Sequence, residues 1–159
     1  MKVLIVTESY FGNTARVGEA IAAGLHSRGA DVTVVDAASA PPPGAQDLVM
    51  VGAPTHYRGL PSPTSRDQAE TRGGRRVTAG VAEWLEKIPR SAGTHAWAFD
   101  TVSSTGFFAG SAAKAISKLL RGKSFDVVGR MSFVITGTGT PPPGTELARA
   151  QQWGATLAG

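Results

Sequence analysis

Five apolar runs rich in valine and isoleucine divide this chain, and stretches of helical periodicity lie between most of them. The runs are Lys2–Thr7 (KVLIVT), Asp31–Asp36 (DVTVVD), 47–52 (DLVMVG), 94–100 (THAWAFD) and a longer one within 125–137. They are nearly continuous rather than alternating, as expected for parallel strands whose two faces are both covered by helices. The covering helices show as stripes: Val17, Ile21 and Leu25; Val81, Leu85 and Ile88; Ile116, Leu119 and Leu120; Leu147, Ala150, Trp153 and Leu157. Right-handed crossovers leave few ways to connect such elements. The expectation is an α/β fold: one doubly wound domain over 1–159, with a five-stranded parallel sheet of order 2-1-3-4-5 and helices on both faces.

The composition agrees. With 159 residues, 42% hydrophobic and 18% charged, the chain has the material for a sizeable core, so disorder is excluded. No apolar run approaches the roughly eighteen residues that a bilayer crossing needs. Met1-Lys2 leads directly into the first strand without a signal-peptide pattern. The expected protein is soluble and cytoplasmic, with no membrane partner. The absence of cysteine removes disulfides, iron–sulfur ligation and thiol chemistry, and the three histidines show no metal-ligand spacing. Any redox chemistry must therefore come from a cofactor. Trp84, Trp97 and Trp153 fall at positions suited to core packing.

In a sheet of this order, ligands bind where the strand order reverses, outside the carboxyl ends of the strands. That rule selects the loops at 8–13, 53–76 and 101–109. Segment 37–46 contains three consecutive prolines and predicts an extended connection instead of a helix. Segment 53–76, rich in Pro, Gly, Ser and Arg, predicts a long irregular loop at the site.

The first of these loops joins a strand directly to the Val17/Ile21/Leu25 helix. Its residues Ser9, Tyr10, Phe11, Gly12, Asn13 and Thr14 bring hydroxyls, an amide and successive backbone N–H groups to a helix N-terminus. First-turn N–H groups have no intrahelical acceptor and the helix dipole is positive there, so an anion such as phosphate is favoured. The same residues also suit an ordinary N-cap, with Asn13 or Thr14 satisfying backbone donors. Both readings stand on these residues alone.

The pattern Ser9-x-x-Gly12-Asn13-Thr14 after the first strand resembles the phosphate loop of the flavodoxin family, and the likeness in strand pattern extends over essentially the whole chain. Phe11 stands where flavodoxins often carry a hydroxyl residue. The resemblance implies FMN, with its phosphate at 9–14 and its ring between the second and third loops. The second loop supplies Pro54, Thr55, His56, Tyr57, Arg58 and Gly59: Tyr57 as a stacking face, and Arg58-Gly59 as a peptide free to reorient because glycine tolerates positive φ. The third supplies Asp100, Thr101 and Ser103 for the polar edge of the ring, with Phe107 or Phe108 as a second wall. The implied function is an electron carrier between redox partner proteins. Other open classes are an FMN-dependent NAD(P)H:quinone-type reductase and a flavin-free interaction module.

Competing motifs fail on context. Gly122-Lys123-Ser124 follows a helix, and Ser117 occupies the first glycine position of a nucleotide P-loop. A phosphoacceptor receiver needs acidic residues after the first and third strands, but Ala53-Pro54 follows the third. Arg58, Arg66, Arg72, Arg75 and Arg76 give 53–76 a basic character in a chain of net charge +4. That points to partners with acidic docking surfaces, since complementary charge steers encounter. No groove-reading or base-stacking motif accompanies these arginines, so no nucleic acid is expected.

Overall fold

The computed structural model describes residues 1–106, 109–137 and 139–159. Its strands are β1 (Lys2–Thr7), β2 (Asp31–Asp36), β3 (Leu48–Pro54), β4 (His95–Val102) and β5 (Asp126–Val134). All pair in parallel, in the order β2-β1-β3-β4-β5, as expected. β1 and β3 are buried along almost their whole length, whereas β2 and β5 lie at the edges and are only partly covered. This gradient explains why the central runs read as continuous valine and isoleucine. Between Ala96 and Trp97 the β4–β5 register slips, leaving Val128 exposed on the outer strand.

The helices are α1 (Asn13–His26), α2 (Pro63–Thr71), α3 (Val81–Lys87), α4 (Ala112–Gly122) and α5 (Gly144–Leu157). They divide between the two faces of the sheet. Val17, Ile21 and Leu25 of α1 and Ala150 and Trp153 of α5 join Ile5, Met50 and Phe99 in one core. Trp84 and Leu85 of α3, the adjoining Ile88, and Ile116 and Leu120 of α4 join Val6, Val49 and Val51 in the other. Trp97 and Trp153 meet edge to face, with ring centroids 5.2 Å apart. All three tryptophans thus serve packing.

Two expectations need correction. Segment 53–76 is not an irregular loop, because α2 lies inside it: Ser62 caps its N-terminus by accepting from the Ser65 N–H, and Pro63 occupies the first turn. Leu119 does not belong to the α4 core stripe; it is 40% exposed, and the buried face runs through Ala113, Ile116, Ser117 and Leu120. The proline-rich connection at 37–46 carries no helix, as expected. Among the described residues no helix is long and apolar enough to cross a membrane.

Candidate functional site

At the carboxyl end of the sheet, the chain leaving β1 enters α1 through Gly12, which sits at the N-cap with φ of 87°. An L side chain resists that conformation, and glycine accepts it. No side chain caps this helix. The Thr14 hydroxyl, which an N-cap reading would turn toward the backbone, instead meets the Thr101 hydroxyl at 2.9 Å. Among the described residues, no hydrogen bond occupies the backbone N–H groups of Ser9, Tyr10, Phe11, Gly12, Asn13 or Thr14. The carbonyls on the same loop are held from outside: Arg75 donates its backbone N–H to Tyr10 (2.9 Å) and its Nε to Ser9 (2.7 Å). An ion pair with Asp36, at the end of β2, steadies the Arg75 guanidinium.

Two side-chain atoms on this loop are buried without a partner among the described residues, Ser9 Oγ and Asn13 Oδ1. Ser9 is only 4% exposed. Burying a hydroxyl unpaired is costly, and the cost disappears when an anion accepts from it. Asn13 offers the same once its amide turns to present the NH₂ group. Both residues line a cavity of about 60 Å³, together with Tyr10, Phe11, Thr14, Pro54, His56 and Thr101. The donor set fits a phosphate group.

A larger cavity of about 360 Å³ adjoins, sharing Phe11 and His56 and bounded by Thr55, Tyr57, Ser103 and the Ser65, Gln68, Ala69 and Arg72 face of α2. Tyr57 is 74% exposed and its hydroxyl bonds to Gln68. His56 and Gly59 exchange two backbone hydrogen bonds of 2.9 Å, closing a two-residue turn. Positive φ falls on Tyr57 (46°) and Arg58 (73°), as a type I′ turn requires, and Gly59 does not take it. This differs from the sequence expectation, which assigned the unusual conformation to the glycine. Strained non-glycine turns of this kind collect at binding sites. His56 Nδ1 lies 2.9 Å from Ser65 Oγ. Burial, then Arg66 and Arg72, lower its pKa, so it favours the neutral form.

Several expected contacts do other work. Asp100 is fully buried, and its Oδ2 accepts from Thr55 Oγ1 (3.2 Å), Ser111 Oγ (2.7 Å) and the Ala113 N–H (2.9 Å). Thr55 in turn accepts from the Ala112 N–H at 2.9 Å. Asp100 and Thr55 therefore fasten α4 beneath the site. Tyr10 is buried too, its hydroxyl accepting from Arg66 Nε at 3.1 Å while its ring lies 5.1 Å from that of His56. Phe11 packs with Tyr10, Ala69 and Val77, supplying an apolar wall where a hydroxyl would have supplied a donor. Thr101 and Pro54 line the small cavity, Ser103 the larger one. Phe107 and Phe108 lie outside the described residues.

Beneath the loop is a charge network that sequence reasoning missed. Arg66, one of the arginines expected to give 53–76 its basic character, is buried. It forms a two-pronged pair with Glu83 (2.6 and 2.7 Å) and reaches Glu8 at 3.2 Å. The bond from Arg66 holds the Glu83 carboxyl down to about 2. Glu8 is 1% exposed with Oε2 unpaired, and burial, only partly offset by Arg66, pushes its pKa up to about 7. Burial and the neighbouring Glu8 likewise raise the Tyr10 hydroxyl. Glu8 and Glu83 lie 58 and 17 positions from Arg66, so no local motif reveals the cluster. The α2 side of the larger cavity did carry a signal, the Ser62-Pro63 helix start. Among the described residues, no cluster of His, Asp and Glu could hold a metal ion.

No family model matches this sequence, and no curated protein matches it. Solved structures do. A flavodoxin from the domain Archaea superposes with a TM-score of 0.67 at 23% identity, covering 99% of this chain and 96% of that one. Oxidised Flavodoxin 1 from Bacillus cereus gives 0.70 at 19% identity, covering 98% and 95%. The Flv1 flavodiiron core from Synechocystis sp. PCC6803 gives 0.62 at 19% identity, covering 99% of this chain but 35% of that one. The architecture is the flavodoxin fold.

Proposed function

We propose that this chain, which has the flavodoxin fold, binds FMN and carries electrons between redox partner proteins. One observation supports the reading above the others. Among the described residues, the α1 N-terminus offers a run of unoccupied N–H groups and a buried Ser9 hydroxyl without a partner, and Ser9, Tyr10, Phe11, Asn13 and Thr14 line one small cavity. That is a site for a terminal phosphate, held by helix-end dipoles and not by a lysine or arginine. The adjoining cavity, with exposed Tyr57 at its rim, suits a planar ring.

Bound there, FMN would supply one- and two-electron transfer. The protein binds and orients. Arg75 holds the Ser9 and Tyr10 carbonyls and so fixes the loop backbone. Thr14 and Thr101 tie the first turn of α1 to the end of β4. His56, neutral and fixed by Ser65, adds a polar group at the ring cavity without adding charge. Charged Arg58, exposed beside Tyr57, favours added electron density on a ring lying against Tyr57. Redox partners with acidic docking surfaces belong to the same reading.

The test is a titration of the purified protein with FMN, followed by flavin absorbance and fluorescence, with riboflavin as the phosphate-free comparator. The expected result is FMN binding at least about tenfold tighter than riboflavin, because a charge-assisted phosphate site contributes more than about 1.4 kcal/mol. Equal affinities overturn the assignment of the phosphate site. Failure of both flavins to bind overturns the function.

A further inference from the structure

The arginines of segment 53–76 do not form one basic face. Arg66 is consumed by Glu8 and Glu83, and Arg75 by Asp36 and the carbonyl of Ser9. Arg72 and Arg76 take no part in an ion pair among the described residues and line two separate cavities, whereas Arg58 joins a larger group of cations. A cleft of about 660 Å³ between α4 and the outer strand β5 is lined by Arg58, Lys114, Lys118, Arg121 and Arg130, with no carboxylate among its described lining residues. None of these five cations takes part in an ion pair among the described residues.

The sequence builds this face by spacing. Lys114, Lys118 and Arg121 recur on the side of α4 opposite Ala113, Ile116 and Leu120, and span about 10 Å of helix. Arg130 adds a fourth charge from the strand beneath. Arg58 is brought in by its left-handed turn, whose backbone lies against Gly110: a Cβ on Gly110 would fall 2.2 Å from Arg58 Cα. The Arg58 carbonyl also accepts from the Ser111 N–H at 3.2 Å. One end of the cationic stripe is thereby anchored next to Tyr57, at the rim of the proposed ring cavity.

We infer that this cleft is the docking surface for the carboxylate-rich face of an acidic redox protein. A small phosphorylated ligand is the other polyanion to consider, and the structure disfavours it. Compact phosphates are held by backbone N–H groups at a helix N-terminus. At α4 those donors are already used: the Ala112, Ala113 and Lys114 N–H groups go to Thr55, Asp100 and Ser111. What is left is a row of long, exposed cationic side chains, which matches carboxylates distributed over a protein surface. The docking role rests on the electron-transfer reading for its purpose, but its test does not need flavin.

The experiment is amide chemical-shift mapping on the ¹⁵N-labelled chain. The probes are an acidic [2Fe–2S] ferredoxin, basic cytochrome c and inorganic pyrophosphate. Ferredoxin is expected to move the amides of Arg58, Gly59, the α4 residues and Arg130, and ~0.3 M salt to abolish the effect. Lys114→Glu/Lys118→Glu is expected to weaken ferredoxin binding about tenfold. Arg28→Glu/Lys87→Glu, with the same change in net charge away from the cleft, is expected to alter it less than about threefold. Equal weakening by the two double variants, shifts centred on 72–76, no shifts with ferredoxin, or pyrophosphate binding in place of ferredoxin each overturn the inference. Intact ferredoxin docking with a failed FMN titration overturns the electron-transfer reading and leaves the docking surface standing.

Discussion

Two helices begin at the same carboxyl edge of the sheet, and their N-termini are treated in opposite ways. At α4, Ser111 caps the Lys114 N–H, Thr55 takes that of Ala112, and Asp100 takes that of Ala113 while also gathering the Thr55 and Ser111 hydroxyls. At α1, a left-handed glycine replaces the cap, no acidic residue occupies the first turn, and the donors stay unoccupied among the described residues. Helices of equal dipole are thus made into different objects. One terminus is closed by the protein and serves as structure; the other is left for an anion from outside.

The comparison breaks most visibly at Asp100. Asp100→Ala removes the acceptor shared by three donors in a fully buried position, and the expected loss is about 3 kcal/mol, a fall in Tm of roughly 9 °C for a chain this size. Thermal denaturation measures it. A loss below about 1 kcal/mol would show that the α4 terminus does not depend on its cap.

A second buried carboxylate, Glu8, lies just before the open terminus, its Oε1 3.2 Å from Arg66 Nη2. In the folded chain it keeps its proton up to about pH 7, against 4.5 for an ordinary glutamate. Between these values the folded state binds more protons, so this contribution to stability is complete below pH 4.5 and is lost as pH rises through 7. His56, held below its usual value, works in the other direction in mild acid, and Glu83 matters only further down, as pH falls toward 2. Glu8→Gln isolates the one group. The variant is expected to match the parent near pH 4 and to exceed it above pH 7 by on the order of 2 kcal/mol. Denaturant unfolding across that range decides, and a pH-independent difference contradicts the assignment.

What the sequence made legible was what local pattern controls. Strand runs, helical stripes and right-handed crossovers are short-range facts, and they fixed the order of the sheet and the three loops at its edge. The Ser9–Thr14 loop was legible as a donor-rich helix start, but whether its donors were free depended on where Thr14 pointed, and Thr101 lies 87 positions away. Helix α2 was missed because Pro, Gly and Arg dominate its surroundings, although Ser62-Pro63 marked its start. Charge was read least well. An arginine in sequence carries no sign of whether it will be spent, and the partners of Arg66 and Arg75 come from distant elements. Arg58 was singled out, but its grouping with the cations of α4 and Arg130 was not legible because only the fold joins them.

The open terminus can be closed on purpose. Asn13→Asp places a carboxylate in the first turn of α1, where the dipole welcomes it, and stability is expected to rise by about 0.5 kcal/mol. The same carboxylate occupies the anion position, so FMN affinity is expected to fall about tenfold, with riboflavin affinity almost unchanged. Opposite signs for folding and binding separate a site from a mere helix end. A variant that is both more stable and equally able to bind FMN would mean that the phosphate lies elsewhere.

The smallest effect sits at the rim, where charge acts across solvent. Arg58 is exposed and held beside Tyr57 by a turn with two positive φ values, one of them its own. Replacing it with glutamate exchanges a charge that favours electron density on the nearby ring for one that opposes it, so the second reduction potential is expected to fall by some tens of millivolts. The size follows from distance and screening: exposed charges several ångströms from the ring act through a high effective dielectric. Arg58→Gln is expected to give about half the shift, because it removes one charge where glutamate changes two. Redox titration of the FMN-loaded variants at low and high salt tests both points. Equal shifts for the two variants would assign the effect to the altered turn instead of the charge, and a shift that survives high salt would place the guanidinium in a drier setting than the exposed rim.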